Sequence, residues 1–262
     1  MHFSSGNFCQ RRVRSKALVS IAAMLIASTA HAENDDPILG EAPEERASDA
    51  KPFKLTSGLY RFNESRSYGV DTNLRHQSRW GSVWGGVFHG PDSATAWRVG
   101  WDRAFDLGLP RITPSLQVAQ GGFIGGSVLA EVGEPWFVAA GLGRTNLRPY
   151  VNLNFDPNDA ITLAAGRRLT SGEVIALQLI RDNRLKPSDR HLHLFWRQPL
   201  ANRQRLTVDV LYKQGTVEDE RIRRIGLALT YDWPQLSLRA VWDPKVNFTN
   251  ENQVRVSVGW RF

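Results

Sequence analysis

The last nine residues limit what this chain can fold into more than any other stretch. Val254, Val256, Val258, Trp260 and Phe262 alternate with Arg255, Ser257, Gly259 and Arg261. Side chains along a β-strand point to opposite faces with a period of two, so this segment predicts a strand with one wholly apolar face and one polar face. After residue 32 the uninterrupted apolar runs are as short as 136–142, well below the roughly 20 residues that a helix needs to cross a bilayer. If the chain spans a membrane, it does so as strands whose backbone groups are satisfied by their neighbours.

The first 32 residues read as a cleavable secretory signal. Arg11, Arg12, Arg14 and Lys16 precede the apolar run 17–27, and Ala30-His31-Ala32 follows as a small-residue cleavage site. The run is too short for a membrane anchor. Cys9, the single cysteine, falls inside this segment, so the exported chain has no thiol for a disulfide, a lipid anchor, a metal or a nucleophile. The formal charge of +7 shrinks on export, because four of the 33 Lys and Arg leave with the signal and 29 remain against 26 acidic residues. So small an excess implies no nucleic-acid partner. Residues 33–52 mix Asp35, Asp36, Glu41, Glu44, Glu45 and Asp49 with Pro37, Pro43 and Pro52, which predicts a solvated acidic periplasmic leader.

From Leu55 onward, short alternating segments are separated by turn residues. Apolar positions recur at every second residue in 236–242, 225–231, 206–212, 192–196, 175–179, 161–165, 151–155, 136–142 and 97–101. Residues 55–90 are ambiguous, and Gly121, Gly122, Gly125 and Gly126 blur one hairpin. The expected total is about 12 to 14 strands, even-numbered as in bacterial single-chain barrels. The connectors 182–190, 215–220 and 244–252 read as long and charged, whereas 169–172, 199–203 and 232–235 read as short.

An aromatic residue closing the apolar face of the final strand resembles the closing strand of Gram-negative outer-membrane β-barrels. That resemblance implies an all-β, transmembrane, antiparallel up-and-down barrel over 53–262, located in the outer membrane. It implies that Trp260 and Phe262 form an assembly signal read by the outer-membrane barrel assembly machinery. Outer-membrane lipids and lipopolysaccharide would then be the remaining neighbours of the outer face.

With the apolar parity assigned to lipid, the opposite parity lines the lumen: Arg98, Asp102, Asn152, Asn154, Gln178, His193, Arg197, Asp209, Lys213, Arg224, Arg239, Arg255 and Arg261. Seven of these are Lys or Arg, against Asp102 and Asp209 alone. Eight strands make a barrel filled by side chains and sixteen leave an aqueous channel. A barrel of intermediate size with a basic interior is expected to be either a narrow porin-like channel favouring anionic small solutes, or a closed structural barrel whose Arg residues pair with Glu131, Asp182 or Asp232. Its size and Arg-rich lumen are similar to those of small porins for acidic oligosaccharides, with no shared motif.

Two constellations carry possible chemistry. His76 and Ser78 form a His-x-Ser on the face shared with Tyr68, Val70, Thr72 and Leu74. This resembles the Ser nucleophile and His base of outer-membrane phospholipases and lipid A deacylases, in which an Asn follows the Ser; here Arg79 follows. An upward-running strand would place the pair at the outer leaflet. His191 and His193 share a parity, but no third ligand has metal-site spacing. No phosphate loop or dinucleotide fingerprint occurs, so neither a cofactor nor a metal is expected. The charged segments around Asp182, Arg184, Lys186 and Glu218, Asp219, Glu220 read as a solvated rim able to meet lipopolysaccharide phosphates. An interaction barrel serving export or assembly of another molecule is the third reading.

Overall fold

A computed structural model describes residues 51–91, 95–148 and 159–262. The predicted signal, nearly all of the leader, and the expected strand at 151–155 with Asn152 and Asn154 lie outside the described residues. The strands are β1 (Phe53–Phe62), β2 (Ser67–Ser78), β3 (Gly81–His89), β4 (Thr95–Asp102), a two-residue β5 (Phe105–Asp106), β6 (Arg111–Ala119), β7 (Phe123–Val132), β8 (Trp136–Thr145), β9 (Ala160–Arg168), β10 (Val174–Asp182), β11 (Arg190–Pro199), β12 (Arg205–Val217), β13 (Glu220–Asp232), β14 (Leu236–Asp243) and β15 (Gln253–Arg261).

Each strand pairs antiparallel with its sequence neighbours, apart from β5, which pairs only with β6 beyond the end of β4. The ring closes where β1 meets β15, with Lys54 opposite Arg261 and Leu59 opposite Val256. Phe53 and Phe262 exchange backbone hydrogen bonds of 3.1 and 3.0 Å, so the last residue seals the seam. The result is a closed antiparallel barrel of 14 strands. Closure leaves no unpaired sheet edge, which is what a β-structure in lipid requires.

Burial alternates along almost every strand, and it separates two faces of opposite chemistry. The exposed face carries Leu59, Val70, Leu74, Val87, Leu163, Leu177, Leu227, Val256 and their counterparts. The buried face is polar and charged, with Asp71, Arg75, Arg98, Asp102, Arg197 and Arg255. This inverts a water-soluble protein. Outward aromatics gather near both ends, with Phe53, Trp136, Trp196 and Trp260 toward the termini and Tyr68, Trp97 and Trp242 toward the other end, as expected of interface girdles.

The end opposite the termini carries the long connections 183–189 and 244–252, while the terminal end has short turns apart from 103–110, which holds β5. Long loops outside and short turns in the periplasm is the outer-membrane pattern. One expected long loop is not one: β12 and β13 continue to Val217 and Glu220, leaving Glu218 and Asp219 with φ of 46° and 68° as a two-residue turn. Two successive left-handed residues match the twist of a tight hairpin, and Asp tolerates that conformation better than most residues.

Candidate functional site in the barrel interior

The inward face of β1–β4 is a wall of large, paired side chains. Arg98 on β4 reaches across β3 to Asp71 on β2, forming a bidentate pair of 2.8 and 2.7 Å. Arg75 on β2 reaches back to Asp102 on β4 at 3.0 Å. Both pairs skip over a strand, and the first requires a small residue between its partners. Gly86 supplies it, since a Cβ there would lie 3.0 Å from the Asn73 amide and 3.1 Å from the Arg98 guanidinium. Trp84 and Phe88 fill the rest of this wall, and Tyr60 meets Phe88 edge-on at 5.5 Å and Arg255 at 5.5 Å. Buried charges are tolerable when paired in this way and expensive when not.

The β14–β15 loop continues this filling over the long-loop mouth. Its short 3-10 turn, Val246–Phe248, points two apolar side chains inward. Val246 packs with Tyr60 and Phe88 on one side. Phe248 packs with Val217 and Ile222 and stacks on His191 at 5.2 Å on the other. Gly215 is required beneath it, because any Cβ there would collide with the Phe248 ring. The loop is tied at its foot by Glu251, whose carboxylate accepts the backbone N–H groups of Glu64 and Ser65 at 3.0 and 2.9 Å. Below it, Lys213 and Asp243 form an ion pair, both almost fully buried. Asp189, also buried, accepts from the Thr216 N–H at 3.2 Å. Burial pushes its carboxyl above the usual range, and Lys186 partly opposes the shift.

The wall from β7 to β10 differs in size and charge. Its inward positions include Gly125, Ser127, Ala139, Gly141, Gly143, Thr162, Ala164, Gly166 and Ala176. The larger members, Phe137 and Val174 with Leu129 and Phe195, gather into one apolar cluster toward the terminal end. Charge on this wall is confined to the ends, as at the Arg168–Glu131 ion pair. Ser127, Gly141, Ala164 and Gln178 are half-buried, whereas Thr56, Asn73, Arg75 and Arg98 opposite are buried. Thr207, Asp209 and Leu211 on β12 are half-buried as well, but the wall of β7–β10 differs from β12 and from β1–β4 in carrying the smallest inward side chains.

Compared by sequence, the chain matches no family model and no curated protein. Its architecture does match solved structures. The outer membrane protein Omp33 of Acinetobacter baumannii superposes with a TM-score of 0.53 at 9% identity, covering 81% of this chain and 98% of that one. The KdgM porin gives 0.46 at 10% identity, with coverage of 80% and 99%, and the NanC porin 0.44 at 9%, with 79% and 100%. The Omp33 likeness decides the architecture. The fold is that of a Gram-negative outer-membrane β-barrel.

Within this outer-membrane barrel, Arg98, Asp102, Gln178, His193, Arg197, Asp209, Lys213, Arg224, Arg239, Arg255 and Arg261 all occupy the inward parity. The seven-to-two balance expected for that face was incomplete. Asp71, Glu131, Asp232 and Asp243 also face inward, and so do Lys54, Arg75, Arg168 and Arg205. The carboxylates are engaged: Asp232 takes Arg205 at 3.4 Å and Arg261 at 3.2 Å, and Asp209 takes the His193 ring at 3.0 Å. Asp182 instead accepts the N–H groups of Arg184, Leu185 and Lys186 and shapes its loop. Inward Lys and Arg still outnumber inward Asp and Glu on the strands.

His76 and Ser78 are not at the outer leaflet. β2 runs toward the terminal end rather than upward, so the pair lies beside Phe53 and Phe262. His76 packs on Phe53 at 4.6 Å. The Ser78 hydroxyl donates to the Gly81 carbonyl and accepts from the Trp80 N–H, closing the turn between β2 and β3. His191 and His193 do stand together, with rings 6.0 Å apart. Among the described residues no group of three or more His, Cys, Asp or Glu could hold a metal. Trp260 and Phe262 pack with tilted rings 4.9 Å apart on the outer face at the seam.

Proposed function

We propose that this barrel is a narrow channel whose water path runs along the small-residue wall of β7–β10 and favours anionic solutes. The observation that carries the reading is the asymmetry of the interior, where one side is filled by paired Arg, Asp and aromatic side chains and the other by Gly, Ala, Ser and Thr. Fourteen strands enclose more than the side chains of one wall need, since eight already suffice for a filled interior. Anion preference follows from charge balance. Inward Lys and Arg outnumber inward Asp and Glu on the described strands, and basic groups at a constriction lower the barrier for anions. The 244–252 loop narrows the outer mouth.

In this reading the chain is exported with its signal removed at residue 32, and Trp260 with Phe262 is the end that the assembly machinery engages. Single-channel recording of residues 33–262, refolded and inserted in a planar bilayer under a salt gradient, tests the function. Reproducible steps with a reversal potential on the anion side are expected. Silence from a folded barrel would leave a closed structural barrel in its place, and a cation-side reversal would overturn the preference.

A further inference from the structure

The outer face of β8–β11 has a hollow that a uniform lipid-facing barrel would not show. Four register rows cross these strands, and the row at the terminal end consists of Trp136, Arg167, Ile175 and Trp196. The next row toward the bilayer centre is Val138, Ala165, Leu177 and Leu194. Ala165 alone in that row is small. A hollow of roughly 580 Å³ lies over it, with Trp136, Val138, Arg167, Ile175, Leu177 and Leu194 among its walls.

The rim of the hollow is polar in a specific way. Arg167 lies over the Trp136 ring at 5.0 Å, holding a guanidinium at the level of the interfacial aromatics. Glu173 projects from the same outward face two residues beyond Ile175, and its carboxylate accepts the Trp196 indole N–H at 2.6 Å. Arg167 lines the hollow, and Glu173 is held next to it by Trp196, the register neighbour of the lining residue Ile175; each charge is fixed by a tryptophan. Outward-facing charge at this interfacial depth costs little and stands where lipid headgroups are.

We propose that this hollow binds a zwitterionic phospholipid of the periplasmic leaflet whose headgroup joins a phosphate to a primary ammonium. One acyl chain lies over Ala165, the phosphate meets Arg167 and the ammonium donates to Glu173. A guanidinium suits phosphate oxygens, and a primary ammonium has three N–H donors where a quaternary one has none. The two charges of opposite sign select this headgroup over a purely anionic one. The site rests on the terminal end facing the periplasm, and not on whether the barrel conducts.

Native mass spectrometry of the purified barrel in mild detergent tests it, with phosphatidylethanolamine, phosphatidylcholine and phosphatidylglycerol titrated separately. One tightly retained phosphatidylethanolamine is expected, bound about tenfold more tightly than the other two. Ala165→Leu should fill the hollow and abolish the retained lipid. Arg167→Gln should weaken all three lipids, and Glu173→Gln should erase the preference for phosphatidylethanolamine over both of the others. Equal occupancy in wild type and all three variants would overturn the proposal, as would selective retention of lipopolysaccharide or a second copy of the chain that Ala165→Leu removes.

Discussion

The two walls of the interior are built from the same strand geometry and do opposite things. On β1–β4 the inward side chains are long and charged, and they pair across an intervening strand, Arg98 with Asp71 over Gly86. On β7–β9 the inward side chains seldom exceed Thr in size away from the ends. The first wall is rigid because an ion pair removed from water holds its geometry only if both partners stay. The second contributes little packing and leaves room. A barrel can thus hold its shape with one half of its circumference and leave a path along the other.

The comparison breaks most sharply at Asp71. Asp71→Ala leaves the Arg98 guanidinium buried without its bidentate carboxylate, a change worth about 3 to 5 kcal/mol, and urea unfolding in detergent should show it. Ser127→Ala on the small-residue wall removes only the hydroxyl bond to Ser115 at 2.7 Å and should cost about 1 kcal/mol. Next in size is a control on the outer face. Leu227→Arg should cost about 2 to 4 kcal/mol if the residue lies near the bilayer midplane, and equal tolerance of Leu227→Arg and Ala228→Arg would mean that the faces are reversed.

Phe248→Ala removes the ring that bridges the mouth between His191 and the hairpin at Val217 and Ile222. Single-channel conductance should rise while ion preference stays, because the charged positions are untouched. The smallest effect concerns Asp189. Burial raises its carboxyl pKa in the folded state, so folding takes up a proton there, and the contribution of this group to stability improves as pH falls from neutral toward the ordinary carboxylate range. Asp189→Asn should flatten that part of the pH dependence of unfolding; an unchanged slope would show that the group does not govern the 183–189 loop.

The outer face was legible in the sequence because lipid demands strict alternation, and 254–262 shows it without a break. The first strands were not. On β3 the inward Trp84 and Phe88 are as apolar as the outward Val83 and Val87, so the period-two contrast vanishes where a large aromatic packs inside. With 55–90 ambiguous, the direction of β2 could not be counted, and the upward choice put His76 and Ser78 at the wrong end. The ion pairs were out of reach for a different reason, since Asp71 and Arg98 are joined only through the register of two hairpins. Val246 and Phe248 were visible as two apolar residues in an otherwise polar loop, a pattern that signals an inturned connection.

The most direct test of the eccentric path uses the fact that the only cysteine lies at position 9, within the predicted signal. Single cysteines are placed in residues 33–262 at Ser127 or Ala164 on the small-residue wall, and at Thr56 or Asn73 on the charged one. A small charged thiol reagent is then added during single-channel recording. Stepwise loss of current for Ser127→Cys and Ala164→Cys, with no response from Thr56→Cys and Asn73→Cys, is the predicted result. Equal blockade from both walls, or blockade from the charged wall alone, would contradict the account.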